Sequence, residues 1–222
     1  AGENPAAIGH FRQAAAVALE RYAHTDAANY LSAAIALAES GGDAALYPLL
    51  AERERVNRTA RRMEEGAADL ALLMPLVERM DDGSPEAIRR VALLTLSRHY
   101  YATRARRSSD ALQLAQKSVD LAQSCGDQVI EAEALLRCGQ ELFGQGRFDA
   151  AQLVLTEGYT KAMAAGLPSL AALSLERQAQ IHIMGGGSVA RIEELLLESL
   201  GLREETGSES GMSDILNKLG YT

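Results

Sequence analysis

Four histidines, two cysteines and a run of arginines hold most of the chemistry available to this 222-residue chain. A metal centre or a catalytic base would draw on the histidines. None of His10, His24, His99 or His182 is preceded by the Glu-x-x-His spacing of a zinc or di-iron helix, so each reads as a packed or surface residue. Cys125 and Cys138 stand 13 residues apart with no Cys-x-x-Cys, which reads as two reduced core thiols of a cytoplasmic protein. Gly144-Gln145-Gly146 lacks the third glycine and the preceding strand of a dinucleotide site and reads as an interhelical turn. Gly207-Ser208-Glu209-Ser210-Gly211 carries Glu where a nucleophile would stand, and no Ser-x-x-Lys occurs. Asp81-Asp82 has no further acids to complete a magnesium site, and Gly185-Gly186-Gly187 reads as a loop. The chain is expected to be non-catalytic, with no cofactor and no metal.

The arginines remain. Net charge is −8, which argues against nucleic acid as a partner. Yet Arg53 to Arg107 holds twelve arginines against eight acids, and Arg outnumbers Lys by 19 to 3 overall. With so much Ala, that bias suits a GC-rich bacterial genome. Arginine grips carboxylates in a fork, so an acidic partner fits this stretch. The alternative reading is a solvated face whose arginines pair with Glu54, Glu64, Glu65 and Glu86.

Positioning such residues falls to helices. Apolar residues make up 47% of the chain, Trp is absent and aromatics are 5%, so the core must be built from Leu and Ala, both strong helix formers. No apolar run approaches the roughly 18 residues of a membrane span, so no membrane association is expected. The start, Ala1-Gly2-Glu3-Asn4-Pro5, lacks a signal-peptide pattern and a methionine, and reads as a processed chain or a piece of a longer one.

Helix-breaking glycines recur at a fixed interval: Gly42, Gly83, Gly126, Gly166 and Gly207, in steps of 41, 43, 40 and 41. Asp43, Ser84 and Asp127 are placed to cap the helices that follow, and Pro85 and Pro168 suit first turns. A second break divides each block, as at Gly144 to Asp149, Met184 to Ser188 and Ala105 to Ser109, so each block holds two helices. The blocks run about 5–41, 43–82, 84–125, 127–165 and 167–206, with a half block at 211–222, in one domain spanning 1–222. Within the third block the step of 43 predicts two extra residues in the inter-helix turn. Pro75 predicts a kink or an early stop.

In the block 127–165, Leu135, Cys138, Gly139, Leu142, Gly146, Phe148, Ala151, Leu155 and Gly158 fall at the spacings of a known signature. On these residues the chain resembles the tetratricopeptide repeat (TPR) family. Leu216-Asn217-Lys218-Leu219-Gly220-Tyr221 is similar to the first helix of a further repeat that stops at Thr222. The resemblance implies an all-α fold, a right-handed α-α superhelix of stacked hairpins. It places Gly139 against the second helix near Ala151, while Ile192 crowds the equivalent contact one repeat later. A cut after Thr222 would leave a poorly capped end that could self-associate. Arg21 to Ala28 and the closing Leu216 to Gly220 also resemble the helical region behind the ATPase module of large bacterial signalling proteins: cyclase-linked ATPases, signal-transduction ATPases and LuxR-like regulators. No Walker A motif occurs here.

The resemblance implies a protein-binding scaffold, the docking or regulatory arm of a larger regulator, with a protein or peptide as partner. The alternative is a sensor of a small molecule or signalling peptide. First helices line the concave groove of such folds, which points to Arg55, Arg58, Leu94, Arg98, Tyr101, Glu133, Leu136, Gln140, Phe143, Glu176, Gln180 and Ile183 as groove residues.

Overall fold

The computed structural model describes residues 5–207 together with Ile215, Asn217, Leu219 and Gly220. Among the described residues ten α-helices follow one another with no strand between them. They are α1 (Pro5–Glu20), α2 (His24–Ala38), α3 (Asp43–Thr59), α4 (Met63–Arg79), α5 (Pro85–Arg104), α6 (Ser108–Cys125), α7 (Gln128–Gly144), α8 (Phe148–Ala164), α9 (Pro168–Met184) and α10 (Val189–Glu205). Ile215, Asn217, Leu219 and Gly220 are also helical; the rest of the predicted half block lies outside the described residues. The chain divides into two compact units, 1–97 and 98–222, the division falling inside α5.

One turn, repeated five times, makes each hairpin. The residue after the odd-numbered helix sends its N–H back five positions: Ala23 to Ala18, Arg62 to Asn57, Arg107 to Ala102, Arg147 to Leu142 and Gly187 to His182, at 2.7–3.0 Å. This bond requires a left-handed residue just before the donor. That residue is Tyr22, Arg61, Arg106, Gly146 or Gly186, with φ between 57° and 74°. The turn in the third hairpin is thus no longer than the others. Its extra residues lie in the helices: α5 has 20 and α6 has 18, against 17 in each of α7 to α10.

Between hairpins the predicted glycines all have positive φ, from 64° at Gly207 to 76° at Gly42. Asp127 accepts the N–H of Ile130 at 2.9 Å, and Ser84 that of Ala87 at 3.1 Å, as N-caps do. Asp43 does not cap. It opens α3 as a helical residue and pairs instead with Arg79 of α4, whose guanidinium holds the Asp43 carboxyl below its ordinary range. Helix α4 runs on through Pro75 to Arg79, so the early stop does not occur. Leu70, Leu73, Leu76 and Val77 are buried on either side of the proline and hold the turn in place despite the lost N–H.

In the unit 1–97, α1 packs on α2, α2 on α3 and α3 on α4. In the unit 98–222, α6 packs on α7, α7 on α8 and α9, α8 on α9, and α9 on α10. Alanine makes these contacts close: Ala132, Ala151, Ala162, Ala171, Ala172 and Ala179 are fully buried. A β-carbon on Gly139 would meet the side chain of Leu155, one turn beyond Ala151 on the second helix. Ile192 is buried in the core shared by α9 and α10, so its bulk does not hold these helices apart. Ile215 is fully buried against the same core.

Candidate functional site

Helix α7 buries most of its surface; Glu133, Arg137, Gln140 and Phe143 form the stripe it leaves partly open. Helix α9, forty residues on, leaves Leu173, Arg177, Gln180 and Ile183 open. The sequence therefore writes Arg-x-x-Gln-x-x-apolar twice: Arg137, Gln140 and Phe143, then Arg177, Gln180 and Ile183. Helix α7 packs against α9, and the two triplets stand at equivalent positions of these two helices.

Each arginine reaches forward to its own glutamine. Arg137 Nη1 donates to Gln140 Oε1 at 3.4 Å and Arg177 Nη1 to Gln180 Oε1 at 2.8 Å. Each glutamine carbonyl thus accepts one bond, and the amide NH2 groups have no partner among the described residues. Arg137 also pairs with Glu133 at 3.1 Å. Arg177 has no carboxylate partner among the described residues. Phe143 is half-buried with its ring 5.6 Å from that of Phe148, and Ile183 is exposed. The face thus offers amide N–H donors and apolar patches beside the Glu133 carboxylate.

The remaining expected groove residues are placed differently. Leu136 is fully buried, and Leu94 packs beside Leu50 and Leu73. Tyr101 is buried, its ring edge-on to Tyr100 at 5.4 Å. Glu176 turns toward α10, where Arg203 binds it at 2.5 Å and Ser199 donates to it at 3.1 Å. Arg98 is half-buried in α5 with no carboxylate partner among the described residues. Arg55 and Arg58 belong to the other unit. Arg55 is exposed, whereas Arg58 pairs with the buried Glu54 at 3.2 Å. Arg62 pairs with Glu65 and Arg90 with Glu86, so several arginines of this stretch are answered by carboxylates of the same unit.

Two positions of this face are absent from the groove residues expected from the sequence, Arg137 and Arg177. The signal was present, since Arg137-Cys138-Gly139-Gln140 and Arg177-Gln178-Ala179-Gln180 recur at the repeat length. Charge density is higher in the arginine-rich stretch, where pairing with carboxylates consumes much of it.

Behind this face, buried His99 on α5 meets Glu141 on α7, Nε2 to Oε1 at 3.1 Å, and Thr103 donates to the same oxygen at 2.7 Å. Desolvation pushes the imidazole below its ordinary pKa, outweighing the pull of Glu141, so it is neutral at pH 7 and donates its N–H. Burial pushes the Cys138 thiol up to about 12, which leaves it protonated and inert. Both cysteines are free. No group of three metal-ligating side chains and no helix long and apolar enough to cross a membrane occurs among the described residues.

No protein-family model matches the chain, and no curated protein matches it. Solved structures do. A signal transduction ATPase with numerous domains from Pyrococcus horikoshii, with a tetratricopeptide repeat sensor, is 16% identical at a TM-score of 0.73, over 92% of this chain and 31% of that one. Bacillus thuringiensis PlcR, in complex with the peptide PapR7 and DNA, is 9% identical at 0.72, over 95% of this chain and 74% of that one. A Podosopora anserina kinesin light chain protein of nearly identical TPR-like repeats is 13% identical at 0.64, over 92% and 98%. This chain spans less than a third of the ATPase it resembles. Identities this low carry the fold alone, and that fold is the all-α helical-repeat solenoid of the TPR type.

Proposed function

We propose that this chain is a protein-docking arm of a larger bacterial signalling or transcription-regulating protein, working in the cytoplasm. It is a binding surface and not a catalyst. One observation supports this above the others: the partly open stripe of α7 and α9 repeats its Arg–Gln–apolar triplet with the hairpin, and its glutamine NH2 groups lack partners among the described residues. A repeat fold that presents the same side chains at each step is suited to an elongated ligand. Arg98 and Arg177, without a carboxylate partner among the described residues, favour a segment that carries carboxylates.

A second reading is a sensor of a signalling peptide or small molecule. It draws on two neighbours of the same fold, one described as a repeat sensor and one in complex with a peptide.

The test is a pull-down from the source cell with the chain as bait, beside the variants Arg98→Glu/Arg177→Glu and Arg55→Glu/Arg58→Glu. Loss of a retained partner in the first variant alone supports docking on the 98–222 unit. Loss in the second alone moves the site to the unit 1–97. Retention by neither wild type nor variants removes the docking reading and leaves the sensor.

A further inference from the structure

We propose that two copies of this chain associate through the face formed by α1 and α2, about a twofold axis parallel to these helices. This association does not depend on the docking reading above.

The turn bond sets each hairpin in register, so equivalent residues are found by counting back from its donor. Six positions before the donors Ala23, Arg62 and Gly187 stand Val17, Val56 and Ile181. Val56 is 3% exposed and packs in the core of α1 and α2. Ile181 is 7% exposed and packs in the core of α7 and α8. In both cases the preceding hairpin covers this side of the odd-numbered helix. Val17 holds the same place in α1 and is 40% exposed.

Val17 lines a groove of about 430 Å³ whose walls come only from α1, α2 and the turn between them. Its floor is Ala14, Val17 and Ala18, and Tyr30 stands on the α2 side. Leu37, two turns further along the same stripe of α2, is also exposed. Arg21 and Asp26 hold the end of the groove nearest the turn, both exposed and without a charged partner among the described residues.

Level and charge select a second copy as the occupant. At about 1.5 Å of rise per residue counted from the turn, Tyr30 stands level with Ala14, and Asp26 within about 5 Å of the level of Arg21. A twofold axis parallel to the helices keeps these levels and sets α1 of each copy against α2 of the other. Each Tyr30 then covers the small Ala14 of the other copy, and each Arg21 meets the other copy's Asp26. A twofold axis perpendicular to the helices would set the turn end of one copy against the far end of the other and separate these charges. Helices of 16 and 15 residues give each copy a face of roughly 450 Å², since a helix pair is about 23 Å long and about 20 Å wide. A total near 900 Å² is in the range of transient interfaces, roughly below 1,200 Å², so the dimer should form and dissociate with concentration. Exposed ion pairs contribute little each, so apolar contact drives the association and the charges fix its register.

The test is sedimentation velocity of the whole chain from about 1 μM to about 1 mM. Wild type should pass from monomer toward dimer as concentration rises. Val17→Arg, Arg21→Glu and Asp26→Arg should each weaken association at least tenfold, with unchanged circular dichroism, because all three residues are exposed. Arg21→Glu and Asp26→Arg mixed in equal amounts should pair with each other, since both cross-copy contacts are then of opposite sign. The double variant Arg21→Glu/Asp26→Arg should recover for the same reason. A monomer at every concentration overturns the proposal. So does a dimer that none of these substitutions weakens, or one whose single charge reversals fail to recover on mixing. Association lost instead in Leu197→Arg, on the exposed side of α10, also overturns it and moves the contact to the other unit.

Discussion

The side chain of Leu155 occupies the place where a β-carbon on Gly139 would stand, its Cγ and Cδ2 lying 2.5 Å from that position. Helices α7 and α8 thus meet with no room for a methyl group, and Leu155 is fully buried. Gly139→Ala should destabilise the protein: overpacking costs about 1–3 kcal/mol, against roughly 1 kcal/mol returned by helix propensity. Chemical denaturation would measure the net loss. Gly139→Ala/Leu155→Ala should be less than additive, because the second change clears the clash. Full additivity would place the cost elsewhere.

The five intra-hairpin turns set up an internal comparison. Gly146 has φ of 74° and open space around its would-be β-carbon, so Gly146→Ala isolates backbone strain and should cost about 1 kcal/mol. Arg106 holds the equivalent place at φ 57° with a side chain. Arg106→Gly should stabilise, by less than that amount, since glycine also loosens the unfolded chain. Melting temperatures moving in opposite directions would confirm the pair; a fall in both would mean that the Arg106 side chain holds the turn.

Much of the fold could be read from spacing, and the reason is this turn. A left-handed residue is needed at each hairpin end, and glycine meets that need at every inter-hairpin position. Inside the hairpins the same need is met by Tyr22, Arg61 and Arg106, which carry no such signature, so the first two internal breaks are faint in the sequence. The lengthening of α5 was misplaced for the same reason. The site was half legible. Gln140, Phe143 and Gln180 follow from helical periodicity, but the commitment of Glu176 to Arg203 depends on a residue 27 positions away on α10. No local pattern announces such a pair.

That commitment has a measurable cost. Arg203 and Glu176 are both largely buried, so Arg203→Met alone leaves a buried carboxylate unanswered and should cost about 3 kcal/mol or more. Glu176→Leu/Arg203→Met should recover most of the loss. Urea unfolding of the single and double variants decides it; equal losses in both would mean that Arg203 acts through its packing.

Stability should depend on pH through His99. Its folded-state pKa lies below the ordinary 6.5 because burial disfavours the imidazolium, opposed by Glu141 and Glu133 and aided by Arg137. Between those two values the unfolded chain binds a proton that the folded chain does not. The contribution is therefore complete above about 6.5 and is lost as pH falls through the depressed value. Thermal melts from pH 8 to 5 should fall less steeply for His99→Gln, which still donates to Glu141. Parallel slopes would assign the acid sensitivity to other groups.

The packing of α6 to α10 also bears on how this part of the chain acquires its structure. Each of these helices touches the next helix along or the next but one, so closing a contact never requires a distant stretch of chain. Chains with such local contacts fold quickly, and repeat arrays propagate from whichever hairpin forms first. On the ribosome, α7 and α8 can close as soon as they emerge, and each later hairpin then adds to a surface already formed.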